Sequence, residues 1–106
     1  MTKRNHTPGP FAAELVAGGL EIHGPNHECL ADVWSYDLER EGEAQANATL
    51  FASAPLLLDD LIDAAAQLRQ YEALHRAKGT PDSLAKAKVN ADLASRFEQT
   101  IAKATA

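Results

Sequence analysis

The chain has 106 residues, 45% of them apolar and 24% charged, with a formal net charge of −5. That length fits one domain with a small core, and no run approaches the ~20 apolar residues of a membrane span. The single Cys29 excludes an internal disulfide framework, and the absence of clustered Lys and Arg argues against generic nucleic-acid binding.

Residues 1–10 are polar and contain Pro8-Gly9-Pro10, which predicts an extended arm. Residues 11–36 read as a small antiparallel β-meander. Phe11, Ala13 and Leu15 alternate with Glu14, and Gly18-Gly19 then supplies a hairpin turn before Leu20-Glu21-Ile22-His23. After a turn at Gly24-Pro25-Asn26, a third strand begins at Cys29. Strict alternation places Cys29, Ala31 and Val33 on one side and Leu30, Asp32 and Trp34 on the other.

From residue 39 the pattern is helical. Helix one is predicted over 39–54, with Ala44, Ala48 and Phe51 on its apolar face, and Pro55 separates it from helix two over 55–78. Leu57, Leu61, Ala64, Leu68 and Tyr71 step by four and three, as a helix–helix seam does. Gly79 stops the helix, and Thr80-Pro81 caps and starts helix three, over 80–104. Val89, Leu93, Phe97 and Ile101 recur there every four residues. So short a connection demands an antiparallel hairpin, which makes the fold α+β. Each long helix spans roughly 35 Å and a five-residue strand only about 17 Å. Apolar stripe left uncovered marks an interface, so a homodimer or higher oligomer is expected through Leu57, Leu61, Leu68, Tyr71, Val89, Leu93, Phe97 and Ile101. The competing expectation is that helices two and three cover each other.

Charge is unevenly placed. Residues 1–54 hold eight acidic and three basic groups, whereas 55–106 hold seven of each. The acid is densest over 28–43, where Glu28, Asp32, Asp37, Glu39, Glu41 and Glu43 accompany one arginine. This run reads either as a solvated surface or as one that steers toward a basic partner.

Candidate chemistry is sparse. His23-x3-His27-x-Cys29 offers zinc-type donors but lacks the two close pairs of a structural zinc site, so no metal and no cofactor are expected. Asp59, Asp60 and Asp63 are explained by a helix start that favours negative charge. No Gly-x-Gly-x-x-Gly, Walker-type, Gly-x-Ser-x-Gly or His-Glu-x-x-His motif occurs, so a non-enzyme is expected. Asn47 shares a face with Ala44, Ala48 and Phe51. It either satisfies backbone groups of the hairpin or arm, or faces a candidate ligand pocket with Trp34 and Phe51.

His6-Thr7-Pro8-Gly9-Pro10-Phe11 resembles the His-Thr-Pro-Gly-Pro-Trp opening of a group of small proteins encoded by tailed phages and prophages. Ala46-Asn47-Ala48-Thr49-Leu50-Phe51-Ala52-Ser53-Ala54-Pro55-Leu56-Leu57-Leu58 resembles their Ala-Asn-Ala-x-Leu-Ile-Ala-Ala-Ala-Pro-Glu-Leu-Leu segment. Departures are Phe11 for Trp, Phe51 for Ile and Leu56 for Glu. The resemblance covers about residues 6–58 and implies a phage accessory product without catalytic residues. Three roles are expected to compete. The first is a counter-defence factor in the host cytoplasm that binds a bacterial immune component through the acidic surface. The second is an oligomeric sponge for a cyclic-nucleotide or ADP-ribose-type signal, with Arg69, Arg76, Lys78, Arg96 and the arm residues Lys3 and Arg4 as phosphate ligands at a subunit junction. The third is a minor virion or assembly protein.

Overall fold

The computed structural model describes residues 5–17, 19–34 and 42–106, together with the backbone of residue 41. In chain order it contains strands β1 (Ala12–Val16), β2 (Gly19–His23) and β3 (Cys29–Val33), then helices α1 (Glu41–Ala52), α2 (Ala54–Lys78) and α3 (Pro81–Ala104). The fold is α+β: a three-stranded antiparallel sheet of order β1-β2-β3, followed by three helices of which the last two form a hairpin. Two compact units divide it, one of His6–Leu57 and one built on Leu58–Ala106. None of the helices, among the described residues, is long and apolar enough to cross a membrane.

In the first unit, Val16 pairs with Gly19 across the hairpin. Gly19 has φ +139°, a backbone region that side chains disfavour, so glycine is required there. One face of the sheet carries Ala13, Leu20, Ile22 and Val33, and α1 lies against it. Ile22, Val33 and Ala48 are buried at the centre, with Phe11 and Ala52 packed around them. Burying Ile22 contributes about 1.5–3 kcal/mol. The inward face of α1 is Ala44, Ala48 and Ala52, whose small side chains let the helix approach the strands closely. Phe51, expected on that face, is half exposed, because Ala52 takes the inward position and turns Phe51 aside. Leu15 follows the strand alternation but stands outside the core cluster and is 83% exposed.

The register of β3 departs from strict alternation. Ala31 pairs with Ile22, yet Cys29 pairs with His23, so Leu30 is an extra residue and forms a bulge. The bulge moves Cys29 off the Ala31–Val33 side and onto the side of Glu21 and His23. This corrects the expected strand faces.

Helices α1 and α2 are separated by Ser53 alone. Pro55 has no amide hydrogen and its ring crowds the carbonyl four residues back, so one continuous helix cannot form. The Ser53 amide and hydroxyl both bond Thr49 O, at 3.1 and 2.9 Å, and close α1. Gly9 packs on this junction: a Cβ built there would lie 2.8 Å from Pro55 Cβ.

In the second unit, Thr80 Oγ1 accepts the Ser83 amide at 3.2 Å and caps α3, with Pro81 at its first position. The buried positions of α3 are Ser83, Ala87, Ala94 and Ile101, and the last three recur every seven residues. Ala65 is the buried residue of α2. The hairpin seam is therefore mostly alanine, unlike the predicted every-fourth stripe. Four residues advance a helix by about 400°, so such a stripe rotates about 40° per step. Three steps carry Val89 far from Ile101, and Val89 is 66% exposed while Ile101 is buried.

Candidate functional site

The outer face of the sheet, opposite α1, is where unusual side chains gather. Glu14 pairs with Glu21 and Glu21 with Asp32, so one carboxylate from each strand forms a row across the sheet. Like charges directly opposite one another destabilise a sheet. The next row is Ala12, His23 and Cys29. The His23 Nε2 lies 2.8 Å from Glu21 Oε1, in hydrogen-bond geometry. Its Nδ1 lies 2.9 Å from Glu14 Oε2 but off the hydrogen-bond line, a contact that is an ion pair only when the ring is protonated. The Glu21 hydrogen bond, together with the Glu14, Glu21 and Glu28 charges, raises the His23 pKa against the opposing effect of burial. Partial desolvation of the sulfur by its neighbours, and then the Glu21 and Asp32 charges, push the Cys29 thiol up. Donor atoms of Glu21, His23 and Cys29 all lie within 4.8 Å of one another.

At the other end of the row a shallow cleft of about 220 Å³ is lined by Glu21, Asp32, Val16, Val33 and Trp34. Trp34 is 66% exposed. An indole face flanked by two carboxylates is suited to a lysine or arginine side chain, which gains charge pairing and a cation–π contact together.

The predicted acidic residues are divided by the fold. Asp32 is exposed on the sheet and Glu43 on α1, whereas Asp37, Glu39 and the side chain of Glu41 lie outside the described residues. Glu28 folds back over its own turn: Oε1 accepts the Asn26 amide at 3.1 Å, and a Cβ at Gly24 would overlap its carboxylate. Glu14 and Glu21, outside the 28–43 run, are the residues that complete the row with Asp32. Hairpin register is the signal that finds them, since a turn between Val16 and Gly19 fixes 14 opposite 21. His27 sits in the turn with φ 63° and is not among the Glu21–His23–Cys29 donors.

Of the candidate pocket residues, Trp34, Asn47 and Phe51 belong to the first unit and Arg69, Arg76 and Arg96 to the second. Asn47 is half-buried on α1 between Ala44 and Ala48. Arg69 holds Glu98 through Nη2 at 2.6 Å and Nε at 3.2 Å, and Glu72 through Nη1 at 2.9 Å. Arg76 Nε donates to the same Glu72 at 2.9 Å. The hydrogen bonds from Arg69 hold both glutamates below their ordinary pKa, with Arg76 adding to the effect on Glu72. These two arginines are therefore already matched to carboxylates. Arg96 is exposed on α3, and Lys3 and Arg4 lie outside the described residues. Along the predicted association stripe, Leu57 and Tyr71 are about half exposed, Leu61, Leu68, Leu93 and Phe97 are half-buried, and Ile101 is buried.

A family model described as Salmonella phage P22 protein Y8K6 matches residues 1–106. The chain belongs to that phage protein family. No curated protein and no solved structure matches it. Membership in the P22 Y8K6 family makes this a phage protein.

Proposed function

We propose that this Y8K6-family chain is a non-catalytic phage accessory protein that binds a basic surface of a host defence protein in the bacterial cytoplasm. The Glu14–Glu21–Asp32 row beside exposed Trp34 carries this reading. His23 offsets part of the repulsion at Glu14 and Glu21, and a partner's Lys or Arg would relieve what remains beside Asp32 and fill the cleft at Trp34. The excess acid of residues 1–54 would also accelerate encounter with a basic partner. The sponge reading has less support, because Arg69 and Arg76 are engaged by Glu72 and Glu98.

Self-association through α2 belongs to the same proposal. The residues that meet α3, among them Ile62, Ala65 and Arg69, lie about 100° around the helix from the heptad stripe of Leu61, Leu68 and Tyr71. Tyr71 is 47% exposed and Leu61 and Leu68 are half-buried, so the stripe keeps apolar surface that a second copy would cover.

The test is affinity capture of host proteins during infection, with the wild-type chain and an Asp32→Asn/Trp34→Ala variant as baits. A basic host protein held by the wild type, released by salt and lost from the variant, supports the reading. Equal recovery on both baits overturns it.

A further inference from the structure

The Glu21, His23 and Cys29 donors lie together on the outer sheet face for a reason beyond charge. Glu21 and His23 are two residues apart on β2 and so share a face. Cys29 joins them only through the Leu30 bulge, and bulges commonly re-aim a side chain toward a working site. We propose that Glu21, His23 Nε2 and Cys29 Sγ bind a zinc-class divalent ion, and that Glu14 orients the imidazole from behind.

Thiolate, imidazole and carboxylate together form a donor set that zinc accepts. Donors on one such ion stand about 3.3–3.8 Å apart in tetrahedral geometry. The observed 2.8 Å between Glu21 Oε1 and His23 Nε2 needs to widen by roughly half an ångström, and the 4.8 Å envelope of the three donors needs to contract. Both changes lie within side-chain rotation at a site where Cys29 is exposed. Glu14 Oε2 lies 2.9 Å from Nδ1 without hydrogen-bond alignment as it stands, and it is the carboxylate available to that nitrogen once the ring turns onto the ion. On binding, the Cys29 thiol proton and any proton on His23 Nε2 pass to solvent. Three protein ligands leave one position open for water or a further donor. The two proposals remain separable, because Asp32 and Trp34 are not ligands here and Cys29 is not part of the acidic row.

Titration with Co²⁺ and competition for Zn²⁺ against a chromophoric chelator test the site. The wild type is expected to bind one ion per chain and to show a thiolate-to-cobalt charge-transfer band. Cys29→Ser abolishes the band and weakens zinc binding more than 100-fold. Glu14→Gln weakens it by about 10–100-fold and keeps the band. His27→Ala changes neither, and an unchanged far-UV circular dichroism spectrum in every variant shows that the fold is intact. Absence of a charge-transfer band in the wild type overturns the proposal. So does a zinc affinity in Cys29→Ser within twofold of wild type, or loss of binding in His27→Ala.

Discussion

Gly9 and Pro55 show how a single position can hold two distant parts of the sequence in register. The nearest Pro55 atoms leave no room for a Cβ at Gly9, and Phe11, two residues on, packs in the core with Ala52. Gly9→Ala must push the arm from the α1–α2 junction, at an expected cost of about 1–3 kcal/mol, the usual penalty of overpacking. A lower urea midpoint with an unchanged slope would show it. Asp32→Asn should act in the opposite direction. It removes one of two adjacent like charges facing Glu21, so the sheet unit gains a few tenths of a kcal/mol up to about 1 kcal/mol, read as a higher urea midpoint. Gain of stability together with loss of partner binding is the signature of a residue kept for function.

At the level of the elements, the hairpin seam is built on small side chains. Ala87 and Ala94 are fully buried, so Ala94→Leu should cost about 1–3 kcal/mol in thermal or urea unfolding. The Arg76–Glu72–Arg69–Glu98 chain of ion pairs adds a pH dependence. Because Glu72 and Glu98 are depressed in the folded state, their contribution is complete above the ordinary glutamate pKa and is lost as pH falls through the lower folded values. Melting temperature should therefore drop on acidification below about pH 4.5, and less steeply in Arg69→Met, which lacks the shared partner. Equal acid sensitivity in both proteins would show that the network contributes nothing there. Period and punctuation in the sequence made these elements legible: Gly19, Pro55, Gly79 and Thr80-Pro81 mark boundaries close to those observed. Side-chain direction was legible only where the period held. The Leu30 bulge reversed Cys29, and the precession of an every-fourth stripe misplaced Val89. Neither a bulge nor a helix phase is encoded by local residue type, since both depend on the strand or helix across the contact. For the same reason the acidic face looked like a linear run over 28–43, although pairing of strands assembles it from Glu14, Glu21 and Asp32.

For the whole molecule, the P22 Y8K6 family places the chain among phage proteins, and the proposed function gives its surfaces two separate tasks. The half-exposed α2 stripe would join copies. Light scattering at micromolar concentration should give a multiple of the 11.4 kDa chain mass, reduced to one chain by Leu68→Glu/Tyr71→Glu, whereas a monomeric wild type would contradict self-association. The acidic sheet face would engage the host protein, and that is the central claim. It is tested most directly by binding of the captured host partner to wild type and to Asp32→Asn/Trp34→Ala at low and high salt. The account predicts at least a tenfold loss of affinity in the variant and a shallower salt dependence. Equal affinity and equal salt slopes for the two proteins would contradict it.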